Sequence, residues 1–154
     1  MAREIGGTLN GAGLKVAIAA ARFNSRIVEG LVGGTLDGLV RNGVADGDIT
    51  IARCPGSMEL PLLCRRLATS GDYDAVIALG CVIRGETPHF DYVAGECAKG
   101  VSRCAEDADL PVIFGVLTTD TVDQAMNRAG IKHGNKGFDC ALAAIEMCTL
   151  LRGL

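Results

Sequence analysis

The chain has no tryptophan, four prolines, two histidines and only 4% aromatic residues in 154. So few aromatics mean a core of aliphatic side chains, alanine and cysteine, and any phenylalanine off an apolar stripe asks for an explanation. No basic block is longer than Arg65-Arg66, and 15 basic residues against 18 acidic ones leave a formal net charge of -3. That balance gives no electrostatic footprint for nucleic acid, which is excluded as a partner. No apolar run approaches the roughly 18 residues needed to span a bilayer, and the opening Met1 to Thr8 has no apolar signal core. A cytoplasmic protein with no membrane partner is expected.

Several chemistries are missing as well. With two histidines, no HExxH and no CxxC among seven cysteines, a metal site is not expected. The thiols at 54, 64, 81, 97, 104, 140 and 148 mostly sit among apolar residues and read as small buried hydrophobes. Cys81 is the exception, because it lies in the polar loop read after the third strand. There is no GxxxxGK[ST], and Gly11-Ala12-Gly13 precedes the first strand, so no dinucleotide fingerprint exists and no cofactor is expected.

What is present is a repeated strand-then-helix pattern in a chain that is 49% apolar. Residues 1–13 are Gly-rich with a weak Ile5/Leu9 alternation and read as an N-terminal arm on one domain spanning 1–154. Leu14 to Ala21 is nearly continuous in apolar residues, as a strand covered on both faces should be. A polar turn follows, with Ser25 as a cap, and Val28, Leu31, Val32, Thr35 and Leu39 form a helical stripe that ends at Asn42-Gly43. The unit recurs with a strand at 49–54, a turn at Pro55-Gly56-Ser57 and a stripe of Leu60, Leu63, Cys64 and Leu67. A third strand at 74–80 is followed by the stripe Phe90, Val93, Cys97, Val101, Cys104. A fourth strand at 111–117 leads to Thr121 and Gln124 at capping-box spacing, and a last helix over 138–152 buries Ala141, Ala144, Ile145, Cys148 and Leu151. Four strands alternating with helices predict an α/β three-layer sandwich around a four-stranded parallel sheet, assigned flavodoxin-like topology with other doubly wound strand orders as the alternatives.

Ligands of such sheets bind beyond the carboxyl ends of the strands. Those ends carry Arg22-Phe23-Asn24, Pro55 to Glu59, Val82 to His89, and Leu117-Thr118-Thr119. Phe23 in a polar turn is either a loop anchor or a flat platform for a ring. Glu59 either complements a helix N-terminus or, with Ser57 and Asn24, accepts hydrogen bonds from a polyhydroxylated ligand. Arg84, Lys99, Arg128, Lys132 and Lys136 are solvated charges by default, yet Arg128, Lys132 and Lys136 between glycines suit an anion. The Gly85-Glu86-Thr87 turn offers main-chain amides to a phosphate. His89 beside Asp91 is a proton-transfer candidate at neutral pH, or a surface histidine without a task.

The chain resembles the lumazine synthase (riboflavin synthase beta-chain) family over nearly all of residues 14–152. The resemblance is carried by Arg22-Phe23-Asn24, by Pro55-Gly56-Ser57-Met58-Glu59-Leu60-Pro61, by Val82 through Tyr92, by Pro111 to Gly115, and by Asn127-Arg128-Ala129-Gly130 with Gly134-Asn135-Lys136-Gly137. Each segment is weak alone, but five in order at the ends of the right elements are specific. The resemblance implies a cofactor-free condensation of 5-amino-6-(D-ribitylamino)uracil with 3,4-dihydroxy-2-butanone 4-phosphate, the penultimate step of riboflavin biosynthesis, releasing phosphate and water.

It further implies that the pyrimidine stacks on Phe23 and meets main-chain groups near Val82 and Ile83. Asn24, Ser57, Glu59 and Lys136 would hold the ribityl chain, and Gly85, Glu86, Thr87 and Arg128 the phosphate, with the Glu86 side chain turned outward. His89 would be the general acid/base. Met58 joins the ligand-binding set as an apolar group packed across a subunit boundary. A neighbouring subunit would supply Phe114, Arg128 and Lys132, which makes the working unit a homopentamer. The short passage from Arg128 to Gly137 favours a shell of sixty chains, and riboflavin synthase is an implied associate. Two readings from other classes stand beside this one: a non-catalytic module binding a flavin-like or phosphorylated ligand, and a thiol hydrolase using Cys81 with His89.

Overall fold

Helix and strand alternate along the chain as their apolar spacing demands. A computed structural model describes all residues, 1–154. Strand β1 (Val16–Ala21) is followed by α1 (Ser25–Arg41), β2 (Ile49–Cys54), α2 (Leu60–Ala68), β3 (Ala75–Ile83), α3 (His89–Ala108), β4 (Val112–Thr119), α4 (Val122–Arg128) and α5 (Lys136–Arg152). Short 3-10 turns occupy Asp46–Asp48 and Ser57–Glu59. The strands form one parallel sheet in the order β2-β1-β3-β4, flanked by helices in the three-layer, flavodoxin-like arrangement. No helix is long and apolar enough to cross a membrane.

The period of two in the central strands sorts the core into two layers. Val16, Ile18 and Ala20 of β1 with Ile77, Leu79 and Cys81 of β3 face α1, α4 and α5, meeting Val28, Leu31, Ala125, Ala141 and Ile145. Ala17, Ala19 and Ala21 with Val76, Ala78 and Val82 face α2 and α3, meeting Leu60, Cys64, Val93, Cys97 and Val101. Alanine on the second face lets those helices lie close to the sheet. All seven cysteines are free and buried, as their apolar neighbours suggested.

Several boundaries differ from expectation, each for a tertiary reason. β3 continues to Ile83 because β4 pairs with it as far as Ile83↔Thr119, so Val82 and Ile83 belong to the strand. Gly80 does not end the strand. A Cβ there would lie 2.7 Å from Ser57 Oγ and 3.1 Å from Leu60 Cδ1, so the bare backbone makes room for the turn that starts α2. Ser25 does not cap α1. Asn24 holds the cap position in the left-handed region, φ 60°, without a side-chain cap bond. α5 starts at Lys136 because the Asn135 side chain accepts the N–H groups of Gly137 and Phe138. Leu151, expected on the buried side of α5, stands one turn past Cys148 and is exposed. The capping box of Thr121 and Gln124 is formed as its spacing predicted.

Residues 1–13 hold no helix or strand, although the arm touches α5. Thr8 N–H donates to Thr149 Oγ1 at 2.8 Å, and that hydroxyl donates back to the Thr8 carbonyl at 2.9 Å.

Candidate active site

Three strand ends converge on one cleft. The β1–β2 ladder runs on past both strands, with Arg22 N–H donating to the Cys54 carbonyl at 2.9 Å and Phe23 N–H to the Pro55 carbonyl at 3.0 Å. That continuation places Phe23 beside the 55–57 turn. The Asn24 side-chain amide donates to the Cys81 carbonyl at 2.9 Å and so ties the first loop to the end of β3. Asparagine tolerates the left-handed backbone this demands better than most residues. The result is a cavity of about 220 Å³ lined by Phe23, Asn24, Ser57, Val82, Ile83, Gly85, Thr87 and His89, together with Cys81, Phe90 and Val93.

Phe23 is 72% exposed. A loop anchor covering a helix end would bury that ring, so an open platform is the reading its exposure favours. Ser57 is buried on the wall made by the missing side chain of Gly80. Asn24 spends one amide proton on the scaffold, which leaves its carbonyl oxygen as its main polar group for a ligand. His89 opens α3 directly after Pro88 and is exposed at the cavity rim. Glu86, Met58 and Glu59 do not line this cavity, and Met58 is exposed.

Cys81 is removed from the chemistry. It lies within β3 rather than in the loop, is 2% exposed, and burial pushes its thiol up to about 11. A thiol held neutral inside a strand is a poor nucleophile at neutral pH, and the thiol-hydrolase reading falls on that ground.

A second cleft, of about 680 Å³, lies along the outer strand β4. Phe114, Thr118, Thr119, Arg128 and Lys136 line it together with His133 and Asp139. No residue lines both clefts. Lys132 lines neither and is exposed. His133 and Asp139 were not singled out from the sequence, although a histidine inside the glycine-and-lysine segment and an acid one turn into α5 were the available signals. The segment bearing these groups is tied down by hydrogen bonds: Ala129 bridges to Asn135, Gly130 N–H donates to the Gly134 carbonyl at 2.9 Å, and Asn135 Nδ2 donates to the Gly30 carbonyl of α1 at 2.9 Å.

An open aromatic platform, a histidine at a helix start and free backbone amides at the carboxyl edge of a parallel sheet define a doubly wound α/β enzyme acting on small molecules. Residues 13–152 match the family described as 6,7-dimethyl-8-ribityllumazine synthase. The chain is also 56% identical over 146 residues to the 6,7-dimethyl-8-ribityllumazine synthase of Anaeromyxobacter sp. (strain Fw109-5), covering 95% of this chain and 90% of that one. The chain belongs to the 6,7-dimethyl-8-ribityllumazine synthase family. Its activity is the transferase condensation of 5-amino-6-(D-ribitylamino)uracil with 3,4-dihydroxy-2-butanone 4-phosphate in riboflavin biosynthesis. The non-catalytic binding module gives way to this assignment.

Proposed function

We propose that the condensation takes place where the Phe23–His89 cleft of one copy meets the Phe114–Lys136 cleft of the next, in a ring of five identical chains. The observation that carries this reading is the separation of the two clefts: Phe23, Asn24, Ser57, Gly85, Thr87 and His89 line one cavity and Phe114, Arg128 and Lys136 the other, with no residue shared. A closed ring of head-to-tail contacts would bring them together once per chain. The chain spanning 1–154 acts as one domain, with residues 1–13 as its arm. Twelve such rings form a shell of sixty chains, with riboflavin synthase as an associate, in the cytoplasm.

Within the shared site, the pyrimidine stacks on Phe23, and its polar edge meets the main chain at Val82 and Ile83. Asn24, Ser57, Glu59 and the neighbour-supplied Lys136 take the ribityl hydroxyls. Amides of Gly85, Glu86 and Thr87 with the neighbour-supplied Arg128 take the phosphate, and the Glu86 carboxylate points away. Phe114 and Lys132 close the site from the neighbour, and Met58 packs at the boundary. No cofactor is required. A substrate amine attacks the butanone carbonyl and water leaves to give an imine. Phosphate is then eliminated, and the second amine closes the ring before a final dehydration. His89 moves protons at this locus. Holding two reactants in contact supplies a large share of the acceleration, so His89 is an aid to a reaction already favoured by proximity.

Incubating the protein with both substrates and following the absorbance of the lumazine product tests the reaction. Replacing His89 by alanine lowers turnover roughly 10- to 1000-fold while leaving affinity for the ribityl pyrimidine nearly unchanged. Unchanged turnover in a folded His89→Ala protein removes the proton-transfer role. Sharing is tested by co-assembling His89→Ala and Arg128→Ala chains at subsaturating butanone phosphate. Random mixing rebuilds about a quarter of the junctions with both groups intact, and activity returns there. Hybrids no more active than the two parents would place each site within one chain. Analytical ultracentrifugation separates the shell from a free pentamer, and a dominant pentamer overturns the shell.

A further inference from the structure

Arg84 is the first residue beyond β3 and is held from three directions. Its backbone N–H extends the sheet by donating to the Thr119 carbonyl at 2.8 Å. Its guanidinium donates through Nε to Asp120 Oδ1 at 2.9 Å and through Nη1 to Asp91 Oδ1 at 3.4 Å. The guanidinium carbon lies 4.3 Å from the centre of the Phe90 ring. Asp91 and Phe90 belong to the first turn of α3, whereas Asp120 sits at the corner between β4 and α4. That corner is itself fixed, since Gln124 Oε1 accepts the N–H groups of Asp120 at 2.8 Å and Thr121 at 3.2 Å.

Exposed ion pairs add little to stability, and β3 and β4 already pair from Val76↔Val112 to Ile83↔Thr119 without help from this side chain. What the fork supplies is geometry. Residues 84–88 have no helix or strand of their own, and outside α3 their backbone is tied only by Arg84 N–H to Thr119 and by Asp91 N–H to the Pro88 carbonyl. This span carries the open amides of Gly85 and Thr87 and delivers His89 to the cavity rim. Arg84 also has its charge spent on two carboxylates and one aromatic face, which leaves it poorly placed to bind an anion itself. A lysine could replace the charge but not the planar fork that reaches both carboxylates.

We infer that Arg84 is a positioning residue for the condensation, clamping the 85–88 turn and His89 to the β4–α4 corner through Phe90, Asp91 and Asp120. This rests on the proposed roles of His89 and the phosphate-binding turn. It is tested by steady-state kinetics of the assembled Arg84→Gln, Arg84→Lys and Asp120→Asn enzymes, with each substrate varied in turn. Arg84→Gln lowers kcat roughly 10- to 100-fold and raises KM for the butanone phosphate severalfold, while KM for the ribityl pyrimidine stays within about twofold. Arg84→Lys recovers part of the loss, and Asp120→Asn moves the same constants in the same direction by less. In a His89→Ala background, Arg84→Gln costs less in kcat than it does alone, because part of its effect passes through His89.

Equal changes in both KM values, or full recovery by lysine, would overturn the clamp. An undiminished kcat loss in the His89→Ala background would overturn its action through His89. If His89→Ala alone keeps normal turnover, the reading of His89 fails, whereas the split between the two KM values still decides whether Arg84 sets the turn. Should Arg84→Gln not assemble, the lysine and Asp120→Asn enzymes carry the same comparison.

Discussion

The side-chain amide of Asn135 fills the space that a Cβ on Gly34 would occupy. Glycine at this point of α1 lets Asn135 reach the Gly30 carbonyl with its Nδ2 while its Oδ1 caps α5, at 2.9 Å and 2.8 Å respectively. One close approach therefore holds α1, the start of α5 and the segment between Arg128 and Lys136 together.

Gly34→Ala destabilises the protein by about 1–3 kcal/mol, because the side chain it displaces is a cap with three hydrogen bonds. The informative control is Gly33→Ala, where a Cβ meets nothing within 4 Å. There the usual helical preference for alanine stabilises by roughly 0.5–1 kcal/mol. Urea midpoints that move in opposite directions for two adjacent glycines of one helix are the expected outcome. Two stabilised variants would mean that Asn135 relocates without cost.

Phe23→Ala weakens binding of a ribityl-pyrimidine analogue by about 1–3 kcal/mol, the range for an aromatic base stacked on a side chain. Because the ring is largely exposed, the thermal midpoint changes little. Calorimetric titration giving equal affinity for the variant and the parent would return Phe23 to the role of a loop anchor.

Arg128→Ala raises KM for the butanone phosphate far more than KM for its partner, since the phosphate loses a bidentate group while the stacking platform remains. Lys136→Ala does the reverse if it serves the ribityl side. Both lie in the same cleft, so equal changes in both constants for either variant would mark that residue as one that orients the whole cleft.

Stability falls as pH rises from about 9 towards 11. Burial raises the thiols of Cys81, Cys97, Cys140 and Cys148 from an ordinary value of 9.0 to about 11. Between those values the unfolded chain releases protons that the folded chain keeps, so each such thiol lowers the stability of the folded state as pH rises through the window. The contribution is fully present below the ordinary thiol value and is gone above the raised one. Urea titrations across this window should show the decline, and replacing Cys81 by alanine should make it shallower. A flat profile would mean that these thiols ionise alike in both states.

Much of the architecture was legible because it depends on local pattern. The stripes Val28, Leu31, Val32, Thr35, Leu39 and Val93, Cys97, Val101, Cys104 repeat at helical spacing and are buried where that spacing put them. The α4 start was readable from Thr121 and Gln124, since a capping box needs only residues three apart. The polar run from Arg84 to His89 marked the ligand edge for the same reason: it interrupts two apolar segments and gathers groups that a core would not hold.

Other features are settled between residues far apart in the chain. Gly80 looks like a strand end until Ser57 and Leu60 are seen to need its missing side chain. Ser25 was expected as the cap of α1, but Asn24 holds that position, and its side-chain amide is spent on the Cys81 carbonyl of β3 rather than on the helix. By its composition and periodicity the sequence determined four strands, the helices between them and the polar loops at the strand ends. The tertiary structure alone decided the order β2-β1-β3-β4, the ion pairs of Asp91 and Asp120 with Arg84, and the division of the candidate site residues between two clefts. The physical reason is that backbone pairing is nearly indifferent to which strand lies alongside. The choice falls to crossover direction, to side-chain volumes meeting across the layers, and to polar groups finding partners tens of residues away.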